Sequence, residues 1–298
     1  MGGEAAHSLR TVRDVLRFAV SQFSAAQLAF GHGTDNACDE AAYLVLHTLH
    51  LPLDRLEPFL DAALLPHEIE QVLAVIDRRV RERLPAAYLT HEAWLGEHRF
   101  YVDERVIVPR SHLAELIEQG FETWLPDAGR VQRALDLCTG SGCLAILLAL
   151  AFPQAIVDAV DSSAEALQVA RRNVAEYGLE ERVRLVRSDL FARLSAERYE
   201  VIVSNPPYVD SASMRCLPPE YRHEPAVALA GGEDGLEVAR RILAQARAHL
   251  KPGGIIVIEI GSGRPAVERA FPQLSPIWLE TSAGGDQVFL LERDRLPA

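Results

Sequence analysis

Apolar positions in the first part of the chain recur with the spacing of α-helices. One stripe predicts a helix whose apolar face consists of Val12, Val15, Leu16, Ala19, Val20 and Phe23. A second helix is predicted from about Asn36 to a stop before Pro52, and a third from about Pro66 to a stop at Pro85. Together they predict a small helical bundle over residues 1–85. Nothing in the three stripes suggests chemistry.

The pattern changes in the remainder of the chain. Between residues 86 and 108, aromatic and β-branched residues alternate around Gly96, which predicts a β-hairpin linker. From residue 109 to residue 298, apolar strand-like runs alternate with helical ones, which is typical of an α/β protein with a parallel, Rossmann-like sheet. Seven strands are predicted there: 134–137, 155–160, 183–187, 201–203, 255–260, and a closing antiparallel pair at 277–279 and 288–291.

The net charge of the chain bears on which class of macromolecule it binds. The 298 residues carry a formal net charge of -12. A protein that binds nucleic acid through its phosphates carries a basic patch, whereas the densest basic stretch here, 78–83, is interpreted as the solvated face of a helix. No direct binding of nucleic acid is therefore expected. An acidic protein is attracted instead to a basic partner.

The four cysteines indicate a reducing compartment. Cys38, Cys138, Cys143 and Cys216 have no metal-type spacing, so structural thiols and no metal site are expected. The N-terminus lacks the charged-then-apolar pattern of a signal sequence. No apolar run approaches the roughly 20 residues of a membrane helix. We therefore expect a cytoplasmic protein that does not contact a membrane.

The most informative segment follows the apolar run 201–203, where Ser204 precedes Asn205, Pro206, Pro207 and Tyr208. Proline has a fixed φ and no N–H, so this turn is rigid. The Asn205 side-chain oxygen and the Pro206 carbonyl could accept both N–H groups of one planar amino or amide group. The alternative interpretation is a plain loop with two prolines.

A second motif lies upstream, where strand 134–137 leads into a helical run through Cys138, Thr139, Gly140, Ser141 and Gly142. This is the first strand–turn–helix of a doubly wound sheet. Two glycines let a ligand lie against the backbone, and the helix N-terminus favours a carboxylate. Because the dinucleotide fingerprint lacks its third glycine, the turn argues against NAD.

Acidic residues follow the next two strands. Asp161 lies about twenty residues past the glycines, where a carboxylate accepts the ribose hydroxyls of a nucleoside ligand. Alternatively, Asp161 caps the helix that begins near Ser163. Asp189 could accept from an adenine amino group while Leu190 or Phe191 packs on the ring, or it could be an ordinary loop residue.

These motifs in this order resemble the S-adenosylmethionine-dependent methyltransferases, in which an Asn-Pro-Pro-Tyr turn is typical of enzymes that methylate a planar nitrogen. Within them, the chain resembles the protein-(glutamine) methyltransferases, the HemK-like family. Residues 106–110, Val-Ile-Val-Pro-Arg, look like that family's Pro-Arg segment, which lies over the cofactor.

Three stretches resemble one branch of this family, which modifies a glutamine of the third protein of the large ribosomal subunit. They are LDLCTGSGC (135–143), YRHEPAVALAGGEDGLE (221–237) and the run from Trp278 to Phe289. The branch that modifies release factors usually carries a Gly where Cys138 stands and an acid where Ala114 stands. The ribosomal-protein branch is therefore expected, and a release factor is the alternative substrate.

The resemblance implies that S-adenosylmethionine is the cofactor and that the side-chain amide of a glutamine in a basic ribosomal protein is methylated. It implies that the cofactor is bound by Cys138, Thr139, Gly140, Ser141, Gly142, Asp161, Asp189, Leu190 and Asn205. The catalytic residues would be Asn205, Pro206 and Tyr208, and the substrate would be bound by these three with Pro207 and Arg110. No strong general base is required, so His223 is assigned to loop ordering. The helical bundle is a place to recognise the protein partner.

Three other functions compete with this one. A DNA or RNA adenine methyltransferase holds a flipped amino group in the same kind of turn, but the charge and the lack of a recognition insertion argue against it. A cofactor-binding scaffold with a vestigial site is disfavoured because all site positions are occupied. An NAD-dependent dehydrogenase lacks the third glycine.

Overall fold

The computed structural model describes residues 8–194, 197–261 and 263–297, which form two compact units. The helical unit comprises the described part of Met1–Ala93 together with Pro218–His223. The sheet unit comprises the described parts of Trp94–Leu217 and Glu224–Ala298. The segment Pro218–His223, a 3-10 helix from Pro219 onward, therefore belongs to the helical unit although its neighbours on both sides belong to the sheet unit.

The helical unit contains α1 (Val12–Ala25), α2 (Ala37–Thr48), α3 (Pro66–Arg81) and α4 (Ala86–Thr90). The first three confirm the predicted helices. Thr11 and Asp14 form a capping box at the start of α1, and the Asn36 side chain caps α2. The core of the unit is apolar and includes Val15, Phe23, Leu44, Val72 and Ile76.

A buried ionic network also stabilises the helical unit. Arg79 Nε donates to Glu40 Oε1 at 2.6 Å, and both side chains are 1% exposed. Arg83 Nη2 lies 2.9 Å from Oε1 of Glu220, a residue of the 3-10 helix whose side chain is fully buried. The backbone N–H of Ala29 donates to the same oxygen at 3.1 Å. The positive charges of two arginines are thus matched by the negative charges of two glutamates inside the helical unit, where a buried unpaired charge would be costly.

The predicted hairpin is shorter than residues 86–108. Its strands are β1 (Glu92–Leu95) and β2 (His98–Tyr101), which pair on either side of Gly96. The expected strand character of residues 86–90 was wrong, because these residues form α4. Ala, Ala and Leu in this stretch are good helix formers, and Pro85 precedes them as the N-cap residue.

The sheet unit confirms the predicted seven-stranded α/β sheet. Its strands are β3 (Arg133–Leu137), β4 (Ile156–Asp161), β5 (Val183–Arg187), β6 (Tyr199–Ser204), β7 (Leu250–Glu259), β8 (Ile277–Thr281) and β9 (Gly284–Glu292). The strand order is β5-β4-β3-β6-β7-β9-β8. The first five strands are parallel, and β9 is antiparallel to both β7 and β8.

Helices accompany the sheet: α5 (Leu113–Glu118), α6 (Cys143–Ala151), α7 (Ala164–Glu176), α8 (Ser211–Cys216), α9 (Ala226–Leu229), α10 (Glu237–His249) and α11 (Arg264–Ala270). Alternate strand residues face two separate cores. In β6, Val201 and Val203 join the core that contains α6, while Ile202 joins the core that contains Ile242 of α10. None of the helices in the described ranges is long and apolar enough to span a membrane.

This topology creates a place for a ligand. β3 lies between β4 and β6, so the connections that leave β3 and β5 turn to opposite sides of the sheet. Ligands of open parallel sheets bind at such a switch point, beyond the carboxyl ends of the strands. All the motif residues after β3, β4, β5 and β6 therefore meet at one edge.

Candidate active site

A cavity of about 410 Å³ lies at this switch point, within the sheet unit. Its volume falls in the range of small-molecule sites, ~300–1,000 Å³. Its floor follows four successive strands: Cys138 and Gly140 after β3, Asp161, Ser162 and Ser163 at the end of β4, Ser188, Asp189 and Leu190 after β5, and Asn205 and Pro207 after β6. The remaining walls include residues 104–107, Pro225, Val227 and Ala228, and Val238 and Arg241 of α10.

The two glycines of the turn after β3 have different surroundings. Gly140 has φ +54°, and a Cβ atom there would meet nothing within 4 Å, so its backbone is open to the cavity. Gly142 has φ +82°, and a Cβ atom there would lie 3.1 Å from the Cβ of Ala170 on α7. Gly142 therefore permits close packing of two helices, whereas Gly140 leaves room for a ligand.

Thr139 and Ser141 are buried and do not line the cavity. The Thr139 hydroxyl donates to Oδ2 of Asp136 at 2.5 Å, and the Ser141 carbonyl accepts from the Asn173 amide at 2.8 Å. The structure thus places both residues behind the turn, where they hold its shape. It brings only Cys138 and Gly140 of this motif to the cavity wall.

Cys138 occupies a strained position in the cavity wall. Its φ is +62°, in the left-handed region that favours glycine. Burial raises the pKa of its thiol, and the nearby carboxylates of Asp161 and Asp136 raise it further. The thiol is therefore neutral, and it contributes shape rather than charge to the cavity.

Asp161 is held by backbone donors at the end of β4. The Gly140 N–H donates to Oδ2 at 3.0 Å and the Ser163 N–H donates to Oδ1 at 2.8 Å. The cap of α7 is Ser163, whose hydroxyl accepts from Ala166 N, so the alternative role of Asp161 as that cap does not hold. Burial raises the pKa of Asp161, and the N–H donors oppose this effect. The result is a carboxylate fixed in the cavity wall.

Asp189 and Leu190 form the next part of the wall. Asp189 Oδ2 lies 2.6 Å from Nη2 of Arg241, a cavity residue that sequence reasoning missed. Both side chains of this pair are about half exposed. Leu190 is buried with φ +47°. An acid and an apolar side chain thus lie together, as a purine ring would require.

The Asn-Pro-Pro-Tyr turn directly follows β6. The Ser204 hydroxyl donates to the Leu137 carbonyl at 2.9 Å, which ties the end of β6 to β3. Asn205 and Pro207 line the cavity, whereas Pro206 is buried beside them. Within the described residues, no group hydrogen-bonds to the Asn205 side chain or to the Pro206 carbonyl. Neither of the two oxygens that the sequence identified as acceptors is therefore paired with a donor in the described part of the chain.

Tyr208 lies outside the cavity wall, against backbone. A Cβ atom at Gly231 would be 2.7 Å from the Tyr208 Cα, so only glycine fits there. The Val209 N–H donates to the Leu229 carbonyl, and the Gly231 N–H donates to the Val209 carbonyl, each at 2.8 Å. The Gly-rich run 231–235 therefore supports the turn, a function that the sequence pattern alone did not reveal.

Arg110 also lies outside the cavity wall. Its guanidinium forms two hydrogen bonds of 2.7 Å with the carboxylate of Glu224. Sequence reasoning missed both the partner and the wall residues 104 and 105, although the family resemblance had implied that the segment 106–110 lies over a cofactor. Arg105 in this wall donates to Asp103 and to Gln168.

The described residues that line the cavity include no histidine. Across residues 8–194, 197–261 and 263–297, no group of three or more His, Cys, Asp or Glu side chains could hold a metal ion. Nε2 of His223 lies 2.9 Å from the Glu82 carbonyl inside the helical unit. This contact agrees with the loop-ordering role assigned to His223.

Comparison with known proteins defines the class. Residues 120–216 match the family model described as Methyltransferase small domain. Among solved structures, the hMettl16 catalytic domain in complex with MAT2A 3′UTR hairpin 6 aligns with a TM-score of 0.50, at 15% identity, over 76% of this chain and 80% of that one. At this identity the likeness concerns the fold alone. The chain has the fold of a methyltransferase.

Curated relatives narrow the class to one family. The relative from Bordetella pertussis is 62% identical and covers 97% of each chain. The relative from Neisseria meningitidis serogroup B is 58% identical over 99% of this chain and 97% of its own, and that from Bradyrhizobium diazoefficiens is 50% identical over 94% and 90%. All three are named ribosomal protein uL3 glutamine methyltransferase.

The chain belongs to this family. The predicted enzyme class and the ribosomal-protein branch are thereby confirmed over the release-factor alternative.

Proposed function

We propose that this protein transfers a methyl group from S-adenosylmethionine to the side-chain amide nitrogen of a glutamine in ribosomal protein uL3. The relatives of 50–62% identity supply the reaction and the substrate. The structural observation that carries the proposal is Asn205. Its side chain lies in the cavity wall directly after β6, with no hydrogen-bond partner within the described residues.

The cavity residues fit the cofactor. Gly140 leaves its backbone open, so a ligand can lie against it. Asp161, fixed by two N–H donors, would accept from the ribose hydroxyls. Asp189 and Leu190 are assigned to the adenine, with the carboxylate for the amino group and the leucine for the ring face. When bound, S-adenosylmethionine supplies a methyl group on a positively charged sulfur, which is an electrophile.

The turn residues make the amide reactive. An amide nitrogen is a poor nucleophile because its lone pair is delocalised into the carbonyl. The Asn205 oxygen and the Pro206 carbonyl would each accept one N–H of the glutamine amide and orient the nitrogen towards the methyl group. Such positioning is worth about 7–11 kcal/mol in well-aligned cases. The same two oxygens stabilise the positive charge that develops on the nitrogen.

The proton leaves without a dedicated base. A methylated amide cation is strongly acidic and loses its proton to water. The site accordingly needs hydrogen-bond acceptors that orient the amide, and it does not need a histidine as a general base. Tyr208 is assigned to the side of the amide plane, where its ring also favours a nearby cation.

The charge of the chain suits a basic ribosomal protein. A net charge of -12 attracts a positively charged partner over distances longer than a contact. We therefore expect the association with uL3 to weaken as salt concentration rises.

Two variants test the assignment. Asn205→Ala should bind S-adenosylhomocysteine with unchanged affinity by calorimetry, while methylation of uL3 falls by orders of magnitude. Asp161→Ala should show the opposite pattern, with weakened binding of S-adenosylhomocysteine as the main loss. Full turnover by Asn205→Ala would show that the two-acceptor arrangement is wrong.

The substrate has its own test. Labelled S-adenosylmethionine is supplied with the enzyme to an undermodified cell extract, and the labelled product is identified by mass spectrometry. Label on a glutamine of uL3 is expected. Label in a release factor would contradict the substrate, and label in nucleic acid would contradict the reaction class.

A further inference from the structure

The Arg110–Glu224 ion pair is a two-point contact beside the cavity that the proposed chemistry does not use. Arg110 Nη1 donates to Glu224 Oε1 and Nη2 donates to Oε2, each at 2.7 Å. The Glu224 side chain is fully buried and the Arg110 side chain is 24% exposed. The Val108 N–H also donates to Oε1 of Glu224, at 2.9 Å. The buried carboxylate is therefore matched by three donors.

This ion pair joins two walls of the cavity. Val108 directly follows wall residues 104–107, and Glu224 directly precedes wall residue Pro225. Arg110 Nη1 also donates to the Val108 carbonyl at 3.2 Å, so both chain segments are held at one point. The bridge thus sets the distance between the wall 104–107 and the wall that contains Val227 and Ala228.

The segment that carries Arg110 is fixed on its other side too. The Ser111 hydroxyl donates to Oε2 of Glu259 at 2.6 Å, and the His112 N–H donates to the same oxygen at 2.9 Å. Glu259 is the last residue of β7 and is buried. Because Glu259 anchors this segment to the sheet, the bridge ties the wall at Pro225 to a fixed support.

We infer that Arg110 and Glu224 form a positioning pair that holds the two cavity walls together and so retains the cofactor, and that Arg110 does not bind the substrate glutamine. The inference rests on the proposed function, since it names the cofactor of that site. It replaces the substrate-binding role that the family resemblance implied for Arg110.

The physical reason is pre-organisation. If the walls can separate, only a fraction of molecules have the binding-competent cavity, and the apparent affinity for a ligand falls by that fraction. Val227, a residue of the second wall, is 67% exposed. The packing of its own short helix therefore does little to fix the position of this wall. Loss of the bridge should therefore weaken binding of the nucleoside and leave the Asn205 turn as it is.

The test uses Arg110→Met, Glu224→Gln and the double variant Arg110→Met/Glu224→Gln. The Kd for S-adenosylhomocysteine is measured by calorimetry, and KM for uL3 and kcat are measured at saturating S-adenosylmethionine. Each single variant should raise the Kd at least tenfold and change KM for uL3 less than twofold. The double variant should be no weaker than the worse single variant, because both changes remove one interaction.

A surface pair provides the matched control. Arg130 and Asp127 form an ion pair whose side chains are 87% and 58% exposed. Arg130→Met removes the same kind of charge and should leave the Kd, KM and kcat unchanged. A variant that merely folds less well lowers the binding stoichiometry without changing the Kd of the folded fraction. If the single variants do not fold, the double variant, which leaves no unpaired charge, gives the same test.

The outcomes separate the two proposals. A raised KM for uL3 with an unchanged Kd for S-adenosylhomocysteine would overturn the inference and return Arg110 to substrate binding. Variants with unchanged Kd and unchanged KM would also overturn it. A wild-type enzyme that does not bind S-adenosylhomocysteine would contradict the proposed function itself.

Discussion

The ring of Tyr208 lies directly against the backbone of Gly261. A Cβ atom at position 261 would be 2.8 Å from the Cε2 atom of the ring, and Gly261 has φ +55°. Tyr208 follows β6 and Gly261 follows β7, which are neighbours in the sheet. The position of the Asn-Pro-Pro-Tyr turn thus depends on a glycine just beyond the end of the adjacent strand.

Gly261→Ala should therefore impair catalysis. The added methyl group would displace the Tyr208 ring and with it the turn, so we expect kcat to fall tenfold or more while the Kd for S-adenosylhomocysteine changes only a few-fold. The control is Gly253→Ala, which has φ +76° but would meet nothing within 4 Å. Both variants carry the backbone strain of about 1–2 kcal/mol, and only Gly261→Ala carries the clash. Equal kcat in the two variants would contradict the role of Gly261.

The strained backbone at Cys138 leads to a stability prediction. Cys138→Gly and Cys138→Ala both remove the thiol, but only glycine adopts φ +62° without cost. The glycine variant should be more stable than the alanine variant by about 1 kcal/mol. Thermal unfolding of the two variants measures this difference. If the alanine variant unfolds at the same temperature or higher, the backbone at position 138 is not strained.

Asp136 makes the stability of the protein depend on pH. The residue is fully buried, and burial raises its pKa from 3.8 to about 7 despite the hydrogen bond from Thr139. The folded state keeps this proton up to about pH 7, whereas the unfolded chain releases it near pH 4. The stabilising contribution is therefore complete below about pH 4 and is lost as pH rises to about 7.

The isosteric variant Asp136→Asn removes this titration. We expect the free energy of unfolding of the wild type, taken relative to Asp136→Asn, to fall between pH 4 and pH 7 and then to level off. Denaturant titrations of both proteins at several pH values measure the difference, and other titrating groups cancel in it. Parallel curves across this range would show that Asp136 is already ionised in the folded state.

Glu220 should be required for stability of the helical unit. Its buried carboxylate lies 2.9 Å from Arg83 Nη2 and 3.6 Å from Arg79 Nη1. Glu220→Gln leaves the Arg83 guanidinium, which is 26% exposed, without its carboxylate partner, and losing one partner of a charged hydrogen bond costs about 1–3 kcal/mol. Faster hydrogen exchange of the amides in α1, α2 and α3 is the expected result.

Glu70 offers the control for this measurement. It lies exposed on α3, so Glu70→Gln should change stability by less than about 0.5 kcal/mol. If Glu220→Gln exchanges as slowly as Glu70→Gln, the buried network does not stabilise the unit.

Much of the sheet unit could be predicted because its patterns are local. Alternation of strand and helix, the turn after β3 and the turn after β6 each depend on residues only a few positions apart. The parallel order of the strands then brought Cys138, Gly140, Asp161, Asp189 and Asn205 to one edge. A prediction from local pattern can also be wrong: residues 86–90 form a helix where strand character was expected.

The contacts that complete the site could not be predicted in this way. Arg110 and Glu224 are 114 positions apart, and neither residue type indicates its partner. The pairs Tyr208 with Gly261 and Asp189 with Arg241 are also distant in sequence. Such contacts depend on how helices and loops pack over the sheet. The periodicity of a single segment carries no information about this packing.

By itself, the sequence determined most of the secondary structure, the α/β class, and a rigid turn with two acceptor oxygens after a buried strand. These follow from backbone and side-chain preferences that act within a few residues. Only the tertiary structure decided that Glu220 is buried in the helical unit, that Glu224 pairs with Arg110, and that glycine is required beside Tyr208. Each of these depends on the space and charge left by distant segments, which exist only once the chain has folded.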